Sequence, residues 1–246
     1  MSHEIVTAWI FSLMTALSPP DKNRVSYAQE SLEDATARYQ DIAESIVRNV
    51  YDPNIKPAFG GSKGRLQTAL LLTMTFNWES GFRRDVDMGL ARGITAKKGL
   101  NDFGRSWCMG QINLGRMSKI DPENPNESIE NSVKTTPEGW TGRDLVEDHD
   151  KCVITTIRML RSSLGDCKER PLEERLVTYI TGKCDSEEGA ALSRTRMSAV
   201  FARGAKMPNV NDSSVLKSMK AEQEDQEEQS SIGSYTDMGR LAVGNK

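Results

Sequence analysis

The sequence predicts a mainly α-helical protein with long irregular loops and a polar C-terminal tail. Three stretches carry that expectation. Residues 27–52 repeat apolar side chains at three- and four-residue intervals, residues 65–78 are apolar on nearly all sides, and the glycine-bearing stretch 83–106 shows no convincing strand period. At 246 residues the chain suits one large domain or one domain with appendages, and is long enough to bury a core without metal or disulfide staples. Its hydrophobic content of 37% lies below the globular average, which implies polar segments outside that core. A formal net charge of −3 shows no basic excess, so no nucleic-acid partner is expected and an anionic-membrane role lacks electrostatic support.

In chain order, residues 1–25 hold an apolar run from Ile5 to Leu17. Its 13 residues fall short of the ~20 that a membrane-spanning helix needs. Glu4 rather than a basic residue precedes it, and it ends in "TALSPP". A packed helix stopped by Pro19 and Pro20 is expected, with an atypical secretion signal as the alternative. Residues 26–207 form the expected body. Leu32, Ala35, Tyr39, Ile42, Ala43, Ile46, Val47 and Val50 line one helix face, with Ser31 and Asp34 at its cap. "DPNIKPAFGGSKG" is a Pro/Gly loop, and "RLQTALLLTMTFNW" a central buried helix. Residues 83–106, with Gly89, Gly93, Gly99 and Gly104, make a long irregular loop or small hairpin region, and residues 121–142 a second polar insertion. Helix returns in "GRDLVEDHDKCVITTIRMLRSSLG", in "PLEERLVTYITG" with Pro171 at its start, and in "SRTRMSAVFARG" closed by Gly204. Residues 208–246 turn acidic and then Ser/Gly-rich, a composition expected to form a tail outside the core, with ordering against a partner as an option.

Four cysteines, Cys108, Cys152, Cys167 and Cys184, include no CxxC pair and no histidine at ligand spacing, so zinc is not expected. Cys167 and Cys184 flank a short helical segment and can pair, as can Cys108 and Cys152; reduced buried thiols are the alternative.

The chemistry gathers in three short segments: "NWESGF" with Glu79, "SWCMGQINLG" with Trp107, Gln111 and Asn113, and "VTYITGKC" with Tyr179 and Gly182. Glu79 follows a helix too apolar to face solvent and has Trp78 and Phe82 as neighbours. Partial desolvation disfavours a charged carboxylate, and a carboxylic acid that keeps its proton near neutral pH is what a glycosidic oxygen needs from a general acid. Trp107 and Tyr179 offer flat apolar faces with a polar edge, suited to sugar rings. Gln111 and Asn113 have the donors and acceptors for hydroxyl or acetamido groups.

In order and spacing these segments resemble the soluble lytic transglycosylases, relatives of goose-type lysozyme. That family carries its glutamate in an "E-S-x-F" segment, followed by "G-L-M-Q-I" and "A-Y-N-A-G". Here "ESGF" matches at Glu79, Ser80 and Phe82, "CMGQI" at Gln111 and Ile112, and "TYITG" at Tyr179 and Gly182. Cys108 and Gly110 replace the family's leading glycine and methionine, and Ile180 stands at its usual asparagine. The resemblance covers roughly residues 60–200 and implies a lysozyme-like helical fold. It implies cleavage of the β-1,4 bond between N-acetylmuramic acid and N-acetylglucosamine in peptidoglycan glycan strands, without metal or cofactor. Glu79 would be the acid/base and the bond would end as a 1,6-anhydro product. Gln111 and Tyr179 would line the site, with Ser80 and Ser106 in support, and Trp107 and Asn113 join them as substrate-binding candidates on their own chemistry. Asp85 or Asp87 acting as a second carboxylate would make the enzyme a muramidase instead, unless Arg83 and Arg84 tie them up as ion pairs. A non-catalytic glycan-binding or structural virion module is the third reading. Wall access is expected through the periplasm or within a bacteriophage particle, with phage-tail or secretion-machine proteins as partners of the C-terminal tail.

Overall fold

A computed structural model of the chain describes residues 2–20, 30–88, 106–114 and 135–224. Among these the architecture is helical, with a single small sheet. Helix α1 (Ser2–Leu17) buries Val6, Thr7, Ile10 and Met14, so the first apolar run is a packed helix. No described helix is long and apolar enough to cross a membrane. Helix α2 (Leu32–Val50) begins in a complete capping box, in which Ser31 Oγ accepts from Asp34 N and the Asp34 carboxylate accepts from Ser31 N. Its periodic residues are buried from Ala35 to Val50, while Leu32 at the edge stays half exposed.

Helix α3 (Gly64–Ser80) is the centre of the molecule, as its all-round apolarity demands: it touches α1, α2 and two later helices, α6 (His149–Asp166) and α8 (Glu187–Gly204). After it come the short α4 (Arg84–Asp87) and an antiparallel pair, β1 (Ser106–Trp107) and β2 (Ile112–Asn113), in the register Ser106↔Asn113 and Trp107↔Ile112. The glycine-bearing loop around residues 89–105 and most of the second polar insertion lie outside the described residues.

Two stretches expected as single helices are each broken by a local competitor. Asp148 ends α5 (Gly142–Glu147) and starts α6, because its carboxylate accepts from the backbone N–H groups of Asp150 and Lys151. The segment after Pro171 forms a 3₁₀ turn (Leu172–Glu174) and then α7 (Val177–Thr181), which Gly182 closes at φ 76°.

Residues beyond 207 depart from the tail expected of them. A helix, α9, spans 212–224 with Val215 fully buried. Asp212 supplies what α3 lacks at its own start, where Lys63 offers no side-chain cap: its carboxylate accepts from Arg65 N at 2.8 Å and Leu66 N at 3.2 Å, and from the Tyr51 hydroxyl at 3.2 Å. Low overall apolarity hid this helix, which is held by buried Val215, by Leu216 and Met219 packed against the core, and by the Asp212 carboxylate. Residues 225–246 lie outside the described part.

Both cysteine pairings are made: Cys108–Cys152 ties the hairpin to α6, and Cys167–Cys184 spans the α7 segment. Among the described residues no cysteine is free.

Candidate active site

Glu79 lies in the last turn of α3, next to the turn that reverses the chain at Gly81 (φ 59°) and Phe82 (φ 54°). Four contacts fix that turn. Ser80 Oγ donates to Phe76 O at 2.6 Å and accepts from Phe82 N at 3.1 Å. Ser18 Oγ donates to Gly81 O at 2.8 Å, and Arg38 Nη1 to Phe82 O at 3.1 Å. Phe82 itself is fully buried and packs its ring on Tyr39 with centroids 5.6 Å apart. Ser80, expected beside the substrate, is therefore a buried part of the turn, its hydroxyl committed in both directions.

The second segment forms the β1–β2 hairpin. Cys108 (φ 53°) and Gln111 (φ 49°) hold left-handed conformations at its apex. Together with Phe82 they are the non-glycine residues with positive φ among the described residues, and all three fall in the two motif segments around the candidate acid. Such conformations cost about 1–3 kcal/mol each and persist where surrounding structure enforces them, which is common at functional sites. The enforcement here is visible. Cys108 is bonded to Cys152, Gln111 Nε2 donates to Cys108 O at 3.2 Å, and Gly110 lies so close to α6 that a Cβ would fall 2.3 Å from Thr156 Oγ1. Trp107 rests its ring on Gly142, where a Cβ would come within 2.0 Å of the ring atoms, so one aromatic face is already covered by α5. Ser106 and Asn113 form the open end of the hairpin, with Asn113 exposed and Ser106 half-buried.

Tyr179, from α7, joins the two. Its hydroxyl donates to Gly110 O at 2.5 Å, and its backbone N–H donates to Ser163 Oγ at 3.0 Å. The phenol's pKa is raised well above its ordinary value by burial first and by the Glu79 carboxylate second, with the Arg196 guanidinium acting the other way. Tyr179 thus sits within the electrostatic reach of Glu79 while holding the hairpin backbone. Ile180, at the family's asparagine position, is partly buried against the core.

Arg196, on α8, is the functional neighbour that sequence reasoning missed. Its Nη1 donates to Glu79 Oε1 at 2.6 Å, and its guanidinium carbon lies 5.1 Å from the centroid of the Trp78 ring. Glu79, expected to be partly desolvated beside Trp78 and Phe82, keeps 23% of its side-chain exposure and also meets a cation. That cation also answers the negative end of the α3 dipole, where a carboxylate alone would be repelled. No spacing rule marks Arg196, because an arginine on a polar helix face looks like any other solvated one.

Asp85 and Asp87 are both buried and both paired. Asp85 is held by Arg83, as its neighbour in sequence allowed. Asp87 bonds Arg38 at 3.2 Å and His149 Nε2 at 2.9 Å, partners far from it in sequence. One cleft of about 400 Å³ is bordered by Asp41, Asp87 and His149, and another of about 610 Å³ lies between α1, α2 and α9. Glu79 lines neither of them. Among the described residues the trio able to gather metal-ligating atoms within 4.8 Å of one another is His3, Glu4 and Glu222, on α1 and α9 rather than beside Glu79.

No protein-family model, curated protein or solved structure matches the chain.

Proposed function

We propose that the protein is a peptidoglycan-cleaving enzyme of lysozyme-like fold, a lytic transglycosylase with Glu79 as its single acid/base. The observation that carries this reading is the convergence of the three motif segments. Tyr179 bonds the backbone of the Gln111 hairpin and feels the charge of Glu79, although 100 residues separate Glu79 from Tyr179 in the chain. Enforced left-handed residues at both motif turns support it further.

In the proposed reaction Glu79 gives its proton to the glycosidic oxygen as the C1–O4 bond breaks, and the N-acetylglucosamine side leaves as an alcohol. The muramyl C6 hydroxyl then attacks C1 while its proton passes to the Glu79 carboxylate. The product is a 1,6-anhydro sugar, no water is consumed and the acid is regenerated. Burial and pairing of Asp85 and Asp87 speak for this route over the muramidase alternative, which needs a carboxylate free to activate water. The second reading, a non-catalytic glycan-binding or virion module, draws on the Glu79–Arg196 pair, since an acid held by a cation is not ready to give a proton. Two disulfides suit an oxidising compartment and favour action outside the cytoplasm, in the periplasm or from a phage virion.

The deciding experiment is digestion of purified cell walls by the wild type and by Glu79→Gln, with mass analysis of the fragments. Muramyl ends one water lighter than reducing ends, lost in the variant, are expected. Reducing muramyl ends would favour the hydrolase, and an undiminished variant would remove Glu79 from the chemistry.

A further inference from the structure

Among the described residues Arg196 is the cation paired with the candidate acid, and it has donors to spare. A guanidinium carries five N–H groups in a planar fork. Among the described residues, the hydrogen bond it makes is through Nη1 to Glu79. The plane is steadied by the Trp78 ring at 5.1 Å, and both members of the pair remain partly open to solvent, Arg196 at 14% and Glu79 at 23% exposure. A neutral sugar hydroxyl competes poorly with a carboxylate for a guanidinium, whereas a second carboxylate matches the fork in a two-point bond.

We propose that Arg196 is a specificity-determining residue that selects a carboxylate-bearing glycan unit and, by turning to that carboxylate, releases Glu79 for catalysis. This rests on the reading of Glu79 as the acid. In the free protein Arg196 holds the Glu79 carboxylate in an ion pair, turned away from other partners. When a muramyl carboxylate takes the fork, the Arg196–Glu79 ion pair opens and the Glu79 carboxyl is free to turn to the glycosidic oxygen. Neutral N-acetylglucosamine polymers have no group to make that exchange. The ligand chemistry is a carboxylate on the muramyl unit, either the free lactyl group of denuded strands or a carboxylate of the stem peptide.

The test is calorimetric binding to the full chain carrying Glu79→Gln, which keeps the amide where the carboxylate was, and to Glu79→Gln with Arg196→Gln. Three probes are used: denuded muramyl tetrasaccharide, the same glycan with stem peptides, and N-acetylglucosamine tetramer. The single variant is expected to bind one or both muramyl glycans at least about tenfold more tightly than the neutral tetramer, a preference that falls as salt rises. The double variant is expected to lose that preference, and Arg196→Lys in place of Arg196→Gln to recover part of it. Preference for the denuded probe identifies the lactyl carboxylate, and preference for the peptide-bearing probe alone identifies the stem. Equal binding of charged and neutral glycans by the single variant, failure to bind any of the three, or a preference that survives Arg196→Gln in a chain with an unchanged melting profile overturns the proposal. Failure of the underlying reading looks different: Glu79→Gln would then still cleave cell walls.

Discussion

At the scale of single residues, Tyr179 carries the most information, because one hydroxyl joins two motif segments. Tyr179→Phe removes the donor that satisfies Gly110 O and leaves the ring in place. A buried carbonyl left without a partner costs about 1–3 kcal/mol, so a loss of that order is expected in urea denaturation. Wall lysis is expected to fall further than stability does at temperatures well below the melting point, because the Gln111 hairpin loses its tether. Lysis that merely follows the folded fraction would make Tyr179 a structural residue and nothing more. The neighbours of Glu79 were legible to different degrees, for physical reasons. Glu79 itself stood out because a carboxylate ending an apolar helix is costly without a purpose. Ser80 looked like a sugar ligand but is consumed by the turn, since a serine beside a left-handed glycine serves the backbone first. Arg196 was illegible because its partner lies 117 residues away in the chain, and charge pairing at that range leaves no periodic trace.

At the scale of elements, the hairpin is the vulnerable part. Its strands are two residues each, too short to stand alone, and its apex is conformationally costly. Cys108–Cys152, closing a sequence separation of 44, is worth about 4 kcal/mol in chain entropy and also seats the apex on α6. Cys167–Cys184, with a separation of 17, is worth about 3 kcal/mol and acts on the other side of Tyr179. Replacing Cys108 and Cys152 by serine is expected to abolish wall lysis while the helices, followed by circular dichroism, persist at low temperature. A fully active variant would show that the hairpin needs no covalent anchor. Helix α3 has its own point of failure in Asp212, whose replacement by alanine strips the cap from Arg65 and Leu66 and the partner from the Tyr51 hydroxyl. A loss of about 1–3 kcal/mol in urea denaturation is expected, and a neutral outcome would mean that the Asp212 cap adds nothing to the stability of α3. The helices themselves were readable where burial set a period, as in α2, or left no polar face, as in α3. They were not readable where one carboxylate decided the outcome: Asp148 splitting α5 from α6, or Asp212 docking α9. Local hydrogen-bond competition and long-range capping do not register in hydrophobic pattern.

At the scale of the whole molecule, a chain of charges runs from the half-buried Glu30 through buried Asp87 to the exposed Asp41. Glu30 pairs with Arg38 at 2.6 Å, Arg38 with Asp87, and Asp87 with His149, whose Nδ1 meets Asp41 at 2.6 Å; Arg84 stands 4.0 Å from Glu30. The chain links the start of α2, α4 and α6, and through the Arg38 bond to Phe82 O it reaches the turn that carries Glu79. His149 is its titrating member. Burial pulls the imidazole down, but hydrogen bonds to Asp87 and Asp41 and their negative charge more than offset that, and its pKa is raised to about 9. Arg48, Glu147, Asp148 and Asp150 border the same cleft and complete its electrostatic surroundings. With the folded value above the ordinary histidine value of about 6.5, the protonated ring is worth most below pH ~6.5, and that stability drains away as pH rises through about 9. The expected loss across this window is on the order of 2–3 kcal/mol, measured as urea midpoints between pH 6 and 9.5. His149→Gln should flatten the dependence, because its amide NH2 can still donate to Asp87 without titrating. A wild-type midpoint that stays level across the window, or a variant as steep as the wild type, would remove His149 from the electrostatic frame that holds the Glu79 turn.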